Sequence, residues 1–365
     1  MYLDDFSNKK IAALLAELDI NPDSNEVKST LFDNLWDKLD DKLKNEINDA
    51  INTFIPDADD IQKTSYCVDI VASVALYGVS AEEYFEFEFP NKNHLGRSEY
   101  FCDKQRFKIF RPFYDFNRYE QIRNKWNQYN LLQKYFKREC VHIENGTITQ
   151  EIREFVSRHN KFVLKPVRAF HGDGVKIINR DKTKIEAWSK DIEGKEYILD
   201  ELIIQDDFFK VLHPESLNTI RELAIHIKGT TTILHPQLHI GRGSSVADND
   251  LISIRANIDA DCGVVYTPGY DHYKKMYIVH PDTDIQIVGL KIPAWVEMKT
   301  FVSEVMDKLE GLAEYIGFDL AYTKKGWTIV EINPFPQFYS QQLIDRKGYR
   351  KEIENVVLQK ISDKV

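Results

Sequence analysis

The sequence is poor in the features that mark several large protein classes. Its four cysteines, Cys67, Cys102, Cys140 and Cys262, lie far apart with no C-x-x-C pair, too few and too scattered for a disulfide-stapled scaffold. No basic leader followed by an apolar run opens it, and no stretch reaches the ~20 apolar residues a bilayer span requires. The expected setting is cytoplasmic, without membrane insertion. Positive charge is short as well: 58 acidic against 48 basic residues leave a formal net charge of −10, which disfavours nucleic acid as the main partner. A Walker A loop, G-x-x-x-x-G-K-[ST], is missing, and nothing resembles a nucleophile elbow. The histidines offer no convincing zinc site, since Pro236 separates His235 from His239 in a strand-like stretch.

What is there is a chain of 365 residues, long enough for two or three domains. The first ~80 residues read as helices, with apolar positions three and four apart in Ile11, Leu14, Leu15 and Leu18, then in Leu31, Leu35, Leu39 and Leu43. The run from Tyr84 to Phe89 alternates aromatic residues with glutamate, which suggests a half-buried strand or an aromatic packing surface. Residues 105–136 keep mostly helical spacing and end in Tyr135-Phe136-Lys137-Arg138.

The texture changes near residue 148. Thr149 begins a short helix, followed by a strand at Phe162-Val163-Leu164-Lys165, a turn at His171-Gly172-Asp173-Gly174, and strands at 175–178 and 196–204. Strands then alternate with short helices, and a long helix is expected over 295–316. Gly317 to Thr323 and Trp327 to Asn333 flank Lys324-Lys325-Gly326, a hairpin signal with Gly326 as the left-handed residue.

That hairpin carries chemistry. With the turn centred on Lys325, Asp319 falls directly across from Glu331, and Asn333 shares the face of Glu331. Like charges opposed on a sheet are destabilising unless a counterion or a raised pKa relieves them. Magnesium is such a counterion: it takes oxygen ligands and is usually held by one or two carboxylates plus substrate phosphates. A solvated hairpin edge with incidental acids is the bland alternative. Lys165 ends an apolar strand and must find an anion or snorkel outward. Backbone N–H groups of His171 to Gly174 can cradle phosphate oxygens beside it, although an ordinary hairpin with a snorkelling lysine reads equally well. Arg221, in Asn218-Thr219-Ile220-Arg221, and Arg242, in Gly241-Arg242-Gly243, add anion-binding forks or else surface ion pairs.

The ordered set FVLKPVRAFHGDGVKII, YILDELIIQ, ESLNTIREL, IGRGSSVADND and GFDLAYTKKGWTIVEINPFPQ resembles the ATP-grasp superfamily, and within it the sugar-transfer-associated branch found with cell-surface carbohydrate and polysaccharide biosynthesis genes. The resemblance implies an α+β, ATP-grasp fold, two subdomains clasping the nucleotide, behind a mostly helical module. The expected divisions are 1–147 for that module, 148–205 for the small subdomain and 206–365 for the large one.

By the same resemblance, ATP and Mg2+, with Mn2+ as a substitute, are the cofactors. Lys165 contacts the α and β phosphates, and His171, Gly172, Asp173 and Gly174 close over the triphosphate. Glu201, Leu202 and Ile203 form the adenine hinge, with Asp207 a ribose contact. Arg221 and Arg242 face the transferred phosphate or an acidic substrate, and Asp319, Glu331 and Asn333 hold the metal. A further lysine is expected before the central strand; Lys104 and Lys125 both fit. Where the branch tends to carry a Gly-rich stretch, this chain has Leu251-Ile252-Ser253-Ile254-Arg255. The implied activity is an ADP-forming carboxylate–amine ligase working through an acylphosphate. Its partners are a small acidic or sugar substrate and an amine acceptor, with a homo-oligomer left open. A kinase acting on a hydroxyl is the alternative.

Overall fold

The computed structural model describes residues 21–168, 174–243 and 252–362. The helix expected over Ile11 to Leu18 and the segments His171 to Asp173 and Ser245 to Asp250 lie outside them. Two compact units divide the chain, one of residues 1–109 with 337–365, the other Phe110–Pro336. The C-terminal helix Arg350–Ser362 thus clusters with the helical N-terminal residues, and residues 110–147 cluster with the sheets.

The first unit is helical. Asn25–Leu35, Asp41–Phe54 and Asp60–Tyr77 pack Leu31, Leu35, Ile47 and Ile70 into one core. The expected Leu31-to-Leu43 periodicity is broken by a 3-10 turn at Trp36–Lys38, after which Asp40 caps the next helix through Leu43 N. The Tyr84-to-Phe89 run begins as a helix, Ala81–Glu86, and not as a strand. A capping box decides it: Ser80 Oγ accepts from Glu83 N at 3.1 Å while Glu83 Oε2 accepts from Ser80 N at 2.9 Å. The aromatic packing surface is present, with Phe85 stacked on Phe54 and Phe87 on Tyr100.

The second unit holds two antiparallel sheets. The smaller has strands β1 (Cys140–Ile143), β2 (Lys161–Pro166), β3 (Lys176–Asn179) and β4 (Tyr197–Glu201) in the order β1-β4-β2-β3. Helix Gln150–Arg158, capped by Thr149, buries Ile152 and Phe155 with Phe162, Leu164 and Leu199 of this sheet. Strand β4 is shorter than the 196–204 run suggested; beyond Glu201 the chain leaves the ladder and Ile204 is exposed.

The larger sheet has seven strands: β5 (Thr219–Ile227), β6 (Thr230–Ile240), β7 (Ile254–Asn257), β8 (Gly269–Tyr270), β9 (Met276–Tyr277), β10 (Tyr315–Thr323) and β11 (Gly326–Pro334), in the order β11-β10-β5-β6-β7-β8-β9. Helix Trp295–Leu309 packs on β5 and β6, burying Met298, Val302, Val305 and Met306. It stops well before residue 316. Gly311 adopts φ +73°, which breaks the helix, and β10 starts four residues later.

The β10–β11 hairpin closes with Thr323 paired to Gly326, which adopts φ +84°. A register shift between Asp319 and Leu320 moves the pairing by one residue. Tyr322 pairs with Trp327 near the turn, whereas beyond the shift Asp319 pairs with Glu331 as expected.

Candidate active site

Three strands meet in register at the acidic pair. Asp319 of β10 has Glu331 of β11 on one side and Arg221 of β5 on the other. Arg221 grips Asp319 with two bonds, Nε to Oδ1 at 2.5 Å and Nη2 to Oδ2 at 3.1 Å. Asn333 Nδ2 donates to Asp319 Oδ2 at 2.9 Å. Lys125, at the start of helix Lys125–Phe136, places Nζ 2.9 Å from Glu331 Oε1. Its own backbone N–H donates to Val167 O at 3.0 Å, which ties this helix start to the chain just past β2. Of the two lysines proposed from the sequence, Lys125 therefore stands with the acidic hairpin, while Lys104 belongs to the helical unit.

Lys165 lies toward the end of β2 and pairs with Asp200 of β4, diagonal to it on the same face because Asp200 is registered with Val163. Asp200 also receives Arg138, Nε to Oδ1 at 2.7 Å and Nη2 to Oδ2 at 2.9 Å. Arg138 continues to the carbonyls of Ile329 at 2.5 Å and Val330 at 3.3 Å, so one guanidinium ties the small sheet to the hairpin. Burial alone would raise the Asp200 carboxyl, but the charges of Arg138 and Lys165 outweigh it and hold it below its ordinary value. A narrow cleft at this junction is lined by Lys125, Lys165, Asp200, Tyr129, Cys140 and Val330.

Neither Arg138 nor Asp200 was singled out from the sequence. Asp200 carried the same signal that drew attention to Lys165, a charge inside an apolar strand. Arg138 carried none, because its burial is created by contacts remote in sequence.

The remaining sequence candidates are dispersed. Gly174, at φ +73°, would bring an added Cβ to 2.9 Å from Pro166 Cγ, so the described end of the predicted phosphate turn returns against the residue after Lys165. Glu201 Oε2 accepts from Glu139 N at 2.9 Å, with Leu202 and Ile203 half-buried beyond it. Asp207 is an exposed first-turn residue bonded to Lys210 at 3.1 Å. Arg242 pairs with Asp271 at 3.1 Å and donates to Ile252 O at 3.1 Å, partners other than those of Arg221.

The donor set suits a hard divalent cation. Two carboxylates in register and an amide whose nitrogen is committed to Asp319 leave the Asn333 carbonyl oxygen as a third oxygen donor. No cluster of three or more His, Cys, Asp or Glu side chains is found among the described residues, so this candidate set is limited to two carboxylates and one amide. Lys125, Lys165, Arg138 and Arg221 contribute +4 and Asp200, Asp319 and Glu331 contribute −3, a net +1 suited to an anionic ligand.

Residues 104–357 match the family model described as sugar-transfer associated ATP-grasp. The chain belongs to this family. Its fold is the ATP-grasp fold, with a helical region before it. No curated protein sequence matches it.

Solved structures similar to it include D-alanyl-alanine synthetase A from Vibrio cholerae, 12% identical with 67% of this chain and 66% of that one covered at TM-score 0.41. Phosphoribosylamine–glycine ligase from Thermotoga maritima is 16% identical, with 70% and 59% covered at TM-score 0.44. The ATP-grasp ligase PsnB, solved with a precursor variant, Mg and ADP, is 11% identical, with 68% and 62% covered at TM-score 0.42. The chain thus spans less than two thirds of the length of each of these structures. Among the described residues, no helix is long and apolar enough to cross a membrane.

Proposed function

We propose that this chain is an ADP-forming, magnesium-dependent ligase that joins a carboxylate to an amine, acting on a sugar acid, an amino acid or a cell-surface carbohydrate precursor. The observation that carries the reading is the registered pair Asp319 and Glu331, with Asn333 bound to Asp319 and with Arg221 and Lys125 on the two carboxylates. Each carboxylate already has a protein cation, so the support for a metal lies in the donor set itself: two registered carboxylates and the Asn333 amide oxygen are the hard oxygen ligands that magnesium takes beside phosphate.

In this reading Lys165 and Lys125 exchange their protein carboxylates for nucleotide phosphates, and the turn His171 to Gly174, of which only Gly174 is among the described residues, is assigned to the triphosphate. Glu201 to Ile203 supply the adenine hinge and Asp207 the ribose contact. A substrate carboxylate oxygen attacks the γ phosphorus, the bond from that phosphorus to the β–γ bridging oxygen breaks, and ADP leaves. An amine then attacks the acyl carbon of the acylphosphate, phosphate departs, and the surplus amine proton passes to solvent. Arg221 neutralises charge on the transferred group, and Arg242 contributes to holding the acidic substrate. Magnesium, held by Asp319, Glu331 and Asn333, supplies neutralisation of phosphate oxygens.

Incubation with ATP, magnesium, sugar acids and amino acids tests the proposal. Ligation releases ADP and phosphate in near-equal amounts together with an amide. A stable phosphorylated product would replace it with hydroxyl phosphorylation, and release of AMP and pyrophosphate would overturn both.

A further inference from the structure

Beyond Arg221 the same face of the large sheet stays polar, which is unusual for buried strand positions. Asp319, Arg221, Gln237 and Asn257 are registered neighbours across β10, β5, β6 and β7. Two residues along, Thr219, His239 and Arg255 form a second row across β5, β6 and β7. Residues two apart in a strand share a face, so both rows look the same way. Gln237 Nε2 donates to Asn257 Oδ1 at 2.8 Å, and Gln237 Oε1 lies 3.1 Å from His239 Nε2. The amides and the imidazole thus fix one another's orientation.

Thr219 breaks the pattern of mutual bonding. It is 3% exposed, yet its Oγ1 has no hydrogen-bond partner among the described residues. Buried hydroxyls are nearly always paired, and valine would fill the same volume without an orphaned oxygen. Two residues from Arg221 and across from His239, this hydroxyl leaves an unused donor and acceptor on the face that carries Arg221.

We infer that Thr219, His239 and Arg255 form the binding row for the acidic substrate, and that it takes a hydroxylated organic anion. This rests on the ligase reading and narrows it, from the several acids named there to a carboxylate that also carries hydroxyls. Thr219 Oγ1 and the His239 ring, each able to donate or accept, meet substrate hydroxyls. Arg255 offers the planar fork that suits an anionic group. Arg221 and Asp319 stand next to this row, so a substrate seated there lies beside the metal-binding pair.

The test uses the full chain with saturating Mg–ADP and isothermal titration with glucuronate, galacturonate and gluconate as probes, succinate as a hydroxyl-free acid and glucose as an uncharged sugar. At least one hydroxylated acid is expected to bind ten-fold or more tightly than succinate or glucose. Thr219→Val should weaken that acid at least five-fold while leaving the melting temperature equal or higher, and Thr219→Ser should restore binding. Arg255→Met should weaken it ten-fold or more; if that variant does not fold, the Thr219 pair still decides.

Wild-type binding by Thr219→Val, equal binding of succinate or glucose, or no binding of any hydroxylated acid by a protein that binds Mg–ADP would overturn the inference alone. Failure of Mg–ADP itself to bind would overturn the ligase reading beneath it, and the binding row with it.

Discussion

Asp319 and Glu331 face each other across the β10–β11 pairing, yet each carboxylate is held by a different cation, Arg221 on the first and Lys125 on the second. The acidic pair is therefore neutralised within the protein. Glu331 is 27% exposed, and an ion pair in contact with solvent contributes on the order of 1 kcal/mol or less. Glu331→Gln should accordingly lower magnesium-dependent ADP release by about 10²-fold or more, while the melting temperature moves by no more than about 4 °C. Equal turnover in the two proteins would remove the metal assignment.

The two candidate lysines separate in the same assay. Lys125 sits on Glu331, whereas the backbone N–H of Lys104 donates to Gly78 O within the helical unit. Lys125→Met should raise the KM for ATP by about ten-fold, the loss of one charge-assisted contact to phosphate. Lys104→Met should leave it within about two-fold, an effect below ~0.5 kcal/mol. The reverse pattern in steady-state kinetics would exchange their roles.

The hairpin was legible because strand alternation and a glycine-marked turn announce it locally; its register was not fully so, since the turn pairs Thr323 with Gly326, one residue off a centre at Lys325, and only the shift between Asp319 and Leu320 restores the expected pairing of Asp319 with Glu331. Lys165 was legible as a charge in an apolar strand. The end of helix Trp295–Leu309 was not, since apolar residues continue at Leu312, Ala313 and Ile316 and only the backbone at Gly311 divides helix from strand. The Tyr84 run misled by its alternation, although the Ser80-x-x-Glu83 box stood beside it. Arg138 and the Gln237–Asn257 row depend on pairings between distant segments, which no local pattern announces.

Arg138 and Asp200 are each 5% exposed, so breaking their pair leaves a buried charge poorly compensated. Arg138→Met should cost about 3–5 kcal/mol in urea unfolding. The pH dependence has a definite sign. The Asp200 carboxyl lies below 3.8 in the folded protein, so its contribution is present above 3.8 and is lost as pH falls through the lower folded value. Removing Arg138 raises the folded value, and the acid unfolding midpoint should move to higher pH. An unchanged midpoint would show that Lys165 alone secures Asp200.

Glu222 presents the opposite case. Next to Arg221 in β5 but on the other face, it is fully buried, and neither carboxyl oxygen has a hydrogen-bond partner among the described residues. Burial pushes its carboxyl well above the ordinary 4.5, and the positive charge of Lys299 opposes this only in part. With a folded value above the unfolded one, the stability due to protonation is complete below pH 4.5 and is lost as pH rises toward the folded value. Glu222→Gln keeps the shape and cannot ionise. It should match the wild type in urea unfolding near pH 4, then gain about 1.4 kcal/mol per pH unit until the folded carboxyl titrates. A difference that stays constant from pH 4 to pH 8 would mean that Glu222 is ionised in the folded protein, with a compensating charge brought to it.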